Sequence, residues 1–301
     1  MNNLLRGLIV STALAAPSYA WAQEPAAPSK PIAVPEVTAV LEEDDGPNEG
    51  ALSFAGGLDW TTAYFFRGYN QEDSGLILQP YATMYAAIVD EEDFGVTAYV
   101  GIWNSFHSKK TGAGSSPNSW YESDLFGGVD VGVGPFTIGG IYTYYTYPND
   151  AFETIQEIGG KITFDDSTLW GEDAPITFNP YVAAYVETSD GNGTEDTYGE
   201  VGIAPGFDIG DTGATLTVPV ALGLSIDDYY VDPGDGDNEV LGYVSVGATA
   251  SVPLPLPADY GSWSFIAGIQ YIHLFADGLE AVNDGGEDYE LLGKVGVSFS
   301  Y

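Results

Sequence analysis

The stretch Asp288 to Tyr301 reads DYELLGKVGVSFSY and constrains the fold more than any other. From Tyr289 its odd positions are Tyr289, Leu291, Gly293, Val295, Val297, Phe299 and Tyr301. Its even positions are Glu290, Leu292, Lys294, Gly296, Ser298 and Ser300. Apart from Leu292 this is a period of two, which gives a strand one greasy face and one polar or small face. In a soluble sandwich the greasy face needs a second sheet. In a membrane barrel it meets lipid, and the polar face lines the interior. The barrel reading requires the pattern to recur upstream, in an even number of strands.

It does recur. Periodic segments run over about 51–66, 74–89, 94–106, 120–133, 136–147, 153–165, 176–188, 197–209, 214–226, 239–252 and 262–275. With the C-terminal segment this predicts about twelve strands: an all-β, transmembrane, antiparallel up-and-down β-barrel over 51–301. The clearest alternation is Leu216, Val218, Val220, Leu222, Leu224 and Ile226 against Thr215, Thr217, Pro219, Ala221, Gly223 and Ser225. In 120–133, Tyr121 and Leu125 fall opposite Glu122 and Asp124. The segment 136–147 carries aromatics at both parities, which leaves its faces open. Pro80, Pro180, Pro205 and Pro219 each remove a ladder donor and predict bulges or breaks. With both termini periplasmic, the connections at 67–74, 107–119, 148–153, 189–196, 227–238 and 276–287 are mostly longer and more polar than those at the other end. Extracellular loops differ from periplasmic turns in that way.

The N-terminal region fits export. Residues 1–22 read as a cleaved signal peptide, with basic Arg6, a short apolar run from Leu8 to Ala16, and cleavage after Ala20-Trp21-Ala22 or after Ser18-Tyr19-Ala20. Residues 23–50, rich in Pro, Ala and acid, read as a disordered periplasmic tail. The chain has no cysteine, which excludes disulfides and thiolate chemistry. Its formal net charge of −37 argues against a nucleic-acid partner, because such a surface repels phosphates. With 45% hydrophobic residues, disorder of the whole chain is excluded.

The run Thr62-Ala63-Tyr64-Phe65-Phe66-Arg67-Gly68, with Gln71 after it, resembles the S-D-Y-x-F-R-G signature of the TorF-type porin family. Tyr64, Phe66, Arg67 and Gly68 match; Thr62-Ala63 stand where the family has Ser-Asp. The resemblance implies an outer-membrane barrel and a transport class, not a solute. A last strand closing on an aromatic residue likewise resembles the segment that the outer-membrane assembly machinery reads.

The alternation places Asp59, Glu122, Asp124, Asp130, Glu157, Glu187, Glu200, Asp208 and Glu290 on the inner face, with Arg67, Lys161 and Lys294 as the basic groups there. Carboxylate rings favour cations. The first functional expectation is a porin-like, cation-preferring channel for ions or small hydrophilic solutes, with Arg67 at the outer mouth paired to acids and no cofactor. A non-conducting structural or binding barrel is the alternative. There Asp232, Asp235, Asp237 and Glu239 pack oxygen ligands into a Gly-rich loop that suits Ca2+, although the EF-hand spacing is absent. Acidic loops also suit divalent ions shared with lipopolysaccharide. An outer-membrane lipid hydrolase is the weakest class: His107-Ser108 and His273 lie in no nucleophile motif.

Overall fold

The computed structural model describes residues 51–91, 93–111, 119–170, 176–189, 196–234, 236–283 and 286–301. The signal-peptide and tail readings lie outside these residues. The strands are β1 (Leu52–Thr61), β2 (Tyr64–Phe66), β3 (Tyr69–Glu72), β4 (Ile77–Asp90), β5 (Phe94–His107), β6 (Trp120–Val133), β7 (Phe136–Thr146) and β8 (Ile155–Phe164). They continue with β9 (Tyr181–Ser189), β10 (Thr197–Ile203), β11 (Gly206–Asp208), β12 (Thr215–Thr217), β13 (Val220–Asp227), β14 (Leu241–Pro253), β15 (Ser262–Leu274) and β16 (Tyr289–Ser300). Two short helices, α1 (Ser167–Trp170) and α2 (Asp277–Val282), lie in connections.

Twelve strands close a ring in the order β1-β4-β5-β6-β7-β8-β9-β10-β13-β14-β15-β16, and β16 pairs back onto β1. Every pairing is antiparallel. The C-terminal residue takes part in closure: Tyr301 and Phe54 exchange backbone hydrogen bonds of 2.7 and 2.8 Å. Closure leaves no free edge within this ring, which is what permits its strands to cross a bilayer. The outward face is predominantly apolar: Leu58 and Trp60 on β1, Val100 and Ile102 on β5, Val182 on β9, Ile269 on β15, and Leu291, Val295 and Val297 on β16 are exposed. The same strands bury Asp59, Trp103, Glu187, Gln270 and Lys294. This is the inside-out pattern of a transmembrane barrel. In β7 it is Phe136, Ile138, Tyr142 and Tyr144 that face out, and Thr143 and Tyr145 that face in.

Four expectations need correction. The first strand does not run to Phe66. It stops at Thr61, and Tyr64–Glu72 forms a separate two-stranded hairpin, β2–β3. Tyr121 does not share the face of Leu125. The β5–β6 ladder slips between Ser105 and Phe106, so Tyr121 is the extra residue of a bulge and is buried beside Glu122. The segments 197–209 and 214–226 are not continuous. They break at Ala204-Pro205 and at Val218-Pro219, and the short pieces β11 and β12 pair together, with β12 on the far part of β14. The segment expected from residue 176 begins as a strand only at Tyr181, just after Pro180. Pro80, by contrast, stays inside β4 opposite Leu58, and the β4–β5 ladder is open between Leu78 and Tyr81.

Inside the barrel, glycines face rings. A Cβ on Gly101 would meet the Phe126 ring at 2.3 Å, so Phe126 comes this close to β5 only because residue 101 has no side chain.

Candidate functional site in the lumen

The hairpin β2–β3 carries the motif and occupies the lumen. Its two-residue turn is Arg67-Gly68, with φ of 46° and 88°. Two successive positive φ values define the type I′ turn that matches strand twist. Gly68 suits the second place, and a Cβ there would lie 2.7 Å from Leu279 of α2. Arg67 holds a left-handed conformation that costs a non-glycine residue energy, so surrounding contacts must hold it there.

Those contacts are extensive. The hairpin leaves β1, yet its tip meets β8, β9 and β10, on the far side of the ring. The guanidinium makes a bidentate pair with Glu157 of β8, Nη1–Oε2 at 2.7 Å and Nη2–Oε1 at 3.0 Å. The Tyr145 hydroxyl donates to the same Glu157 Oε1 at 3.0 Å. The rings of Phe66, Tyr185, Tyr198 and Tyr229 surround the Arg67 Cζ at 4.9, 4.6, 4.2 and 5.4 Å. Burial by itself would favour loss of the Arg67 proton. Contact with Glu157 reverses this and holds the guanidinium firmly charged. From the loop after β13, the Tyr230 hydroxyl donates to the Arg67 carbonyl at 2.9 Å. The Tyr69 hydroxyl donates to the Tyr229 carbonyl at 3.0 Å.

The hairpin base is tied to the wall as well. Glu72 Oε2 accepts from Thr111 at 2.7 Å; Thr111 Oγ1 lies 2.6 Å from His107 Nδ1, and His107 Nε2 lies 2.8 Å from Ser105 Oγ. Burial opposes the Glu72 charge, but hydrogen bonds from Ser74 and Thr111 outweigh it and hold the carboxyl below its ordinary value. Serine, histidine and carboxylate thus stand in the order of a nucleophile relay. However, Ser105 and His107 are 0% and 1% exposed, and His107 stacks on Tyr121 with ring centroids 4.6 Å apart. The chain works as a tether between hairpin and β5. Ser108 takes no part in it and accepts a bond from the Leu76 amide. His273 is half-exposed on the outer side, 4.0 Å from Asp288.

The inner-face acids form one arc. Glu122 and Asp124 lie on β6, Glu157 on β8, Glu187 on β9 and Glu200 on β10, all buried. Glu122 Oε2 accepts from Tyr64 of the hairpin at 2.9 Å. Glu200 accepts from Tyr181 at 2.8 Å, from Tyr243 at 3.1 Å and from Tyr198. On the opposite wall Asp59 pairs with Lys294 at 3.2 Å. Asp130, Lys161 and Glu290 are half-buried on the inner face, and the Lys161 ammonium sits 4.6 Å from the Tyr181 ring centroid. Asp208 departs from the expectation: it lies past the Pro205 break, on β11, and is exposed. In the acidic loop, Glu239 is engaged with the amides of Asp277 and Gly278, and Asp232 Oδ1 with the amide of Gly234. The Asp237 carbonyl accepts from the Asp232 amide, while Asp235 lies outside the described residues. Among the described residues, no three His, Cys, Asp or Glu side chains converge as a metal site requires.

Sequence reasoning identified the acids and Arg67 but not the tyrosines that hold them, Tyr64, Tyr145, Tyr198 and Tyr243. Their signal was available in part: Tyr145 shares parity with Thr143, and an Arg-Gly pair between aromatics is compatible with a hairpin turn.

No family model matches this chain, and no curated protein matches it. Among solved structures it is similar to an outer membrane channel from Pseudomonas putida F1, with 7% identity over 83% of this chain and 95% of that one, at a TM-score of 0.47. It is also similar to the NanC porin, with 11% identity over 83% and 99% of the two chains and a TM-score of 0.40. The translocator domain of the autotransporter NalP from Neisseria meningitidis has 15% identity over 83% and 88%, with a TM-score of 0.38. The likeness is one of barrel architecture.

Proposed function

We propose that this protein is an outer-membrane channel of the porin class that passes small cations in preference to anions, and that the hairpin Tyr64–Glu72 sets its conductance. One observation carries the reading. The acids Glu122, Asp124, Glu157, Glu187 and Glu200 line a single arc from β6 to β10, and the one cation the hairpin brings to it is Arg67. An anion entering this layer meets carboxylates across its path, whereas a cation is attracted. Membership of the TorF-type porins, delivery by the outer-membrane assembly machinery and contact with lipopolysaccharide belong to the same proposal.

Planar-bilayer recording of the refolded chain tests it. Wild-type protein should give small or infrequent steps, with a reversal potential in a salt gradient that favours cations. Replacing Tyr64–Glu72 by a short Gly-Ser link should enlarge the steps and keep the sign. A second reading, a barrel that never conducts, is favoured by the solvent-excluded packing of Phe66, Arg67, Tyr198 and Tyr230. Silence from both wild type and hairpin-less protein, each correctly folded, would decide for that reading.

A further inference from the structure

Asp124 stands apart from the other acids of the arc. It is 0% exposed, and neither of its carboxylate oxygens has a hydrogen-bond partner among the described residues. Two positions earlier on the same face of β6, Glu122 Oε1 is buried without a partner, while the Tyr64 hydroxyl donates to Oε2 and the Tyr147 side chain also bonds this carboxylate. The charges acting on Asp124 are those of Glu122 and Glu157, both of the same sign. Arg67 does not serve it: its terminal nitrogens bond Glu157 and Tyr229, and neither Asp124 oxygen receives a hydrogen bond. On the flanking strands the residues directly across from Asp124 are Trp103 and Tyr145. The Tyr145 hydroxyl is already used on Glu157, and the Trp103 indole N–H makes no bond to either Asp124 oxygen.

A buried carboxylate without a donor is strongly unfavourable, and three such oxygens on neighbouring inner positions call for a positive charge between them. We propose that Glu122 and Asp124 hold one monovalent cation, of the sodium or potassium class, in an occluded site beneath the hairpin. The ligand class follows from the donor set. Two carboxylates on alternate residues of one strand, with aromatic neighbours, lack the six or more oxygens that calcium takes. No third carboxylate or histidine among the described residues converges with them. A single weakly demanding charge, held by carboxylate oxygens beside Trp103 and Tyr64, fits what is present. Trp103 and Tyr64 have ring centroids 5.4 Å apart. The site uses the same acidic arc as the proposed channel but does not depend on conduction, so a silent barrel can still hold the ion.

The test is the thermal midpoint of the folded, heat-modifiable barrel in detergent, at constant ionic strength and neutral pH. Sodium or potassium chloride is compared with N-methylglucamine chloride, whose cation is too large for an occluded site. Wild type should melt a few degrees higher in the alkali salts. Asp124→Asn should lose that difference and Glu122→Gln should reduce it. Equal midpoints for wild type in all salts would overturn the site, as would a full alkali response in Asp124→Asn. A wild type indifferent to alkali ions but stabilised by lowering the pH would also overturn it, with a proton as the occupant. Should Asp124→Asn fail to fold, crystals of wild type grown in rubidium chloride decide. An anomalous peak between Glu122 and Asp124 supports the site, and its absence there refutes it.

Discussion

Removal of the Arg67 side chain should release the hairpin from the barrel without unfolding the barrel. The argument rests on where the pair lies. Arg67 and Glu157 are almost completely buried and meet through two short bonds. Truncating one member of such a pair leaves the other charge uncompensated and costs about 3–5 kcal/mol. Lost cation–π contact with Tyr185 and Tyr198 adds up to about 2 kcal/mol where the site is desolvated. The barrel ladder does not pass through Arg67, so this loss falls on hairpin docking. At about 1.4 kcal/mol per factor of ten, even the low end raises the undocked population by roughly two orders of magnitude. The absence of native cysteine permits a direct assay. Tyr69→Cys should react with a membrane-impermeant maleimide slowly in the parent and roughly a hundredfold faster with Arg67→Ala, within that same estimate. Glu157→Ala added to Arg67→Ala should restore part of the protection, because removing both charges also removes the stranded carboxylate. Equal labelling of parent and Arg67→Ala would refute the latch. So would a double variant whose labelling is the full product of the two single effects.

Other consequences are open to measurement. Lys294→Met should lower the heat-modification midpoint by stranding Asp59, a loss of about 3 kcal/mol or more for a buried pair, and adding Asp59→Asn should recover much of it. Val295→Arg, on the outward face where β16 meets Trp60 and Ala267, should cost about 2–4 kcal/mol in folding into bilayers if it sits near the midplane. Lowering pH should loosen the hairpin base. The Glu72 carboxyl is held below its ordinary value of 4.5, so its contribution is present above that value and is lost as pH falls through the lower folded value. Tyr69→Cys labelling should rise over this acid window, and a Glu72→Gln background should flatten the rise.

Much of the architecture was legible because a strand's faces are a local property. Alternation around Val295 or Leu222 needs only the next two residues on either side, and lipid outside with polar groups inside converts parity directly into direction. Hence the strand number and the inward placement of Asp59, Glu122, Asp124, Glu157, Glu187, Glu200 and Lys294 could be read before any coordinates. Parity failed where the chain gains a residue or loses a donor. The bulge at Tyr121 turned that ring inward, and the Pro205 break took Asp208 out of the enclosed lumen.

The alternating sequence by itself determined a closed membrane barrel and which carboxylates it encloses, because each depends on near neighbours and on the solvent outside. Only the tertiary structure decided that Tyr64–Glu72 folds inward rather than extending β1. Only there does Arg67 find Glu157, and only there is Asp124 left without a donor. Those outcomes depend on contacts between residues as far apart as Arg67 and Tyr229, brought together across the ring by its closure. No local pattern encodes which partner a buried charge will meet.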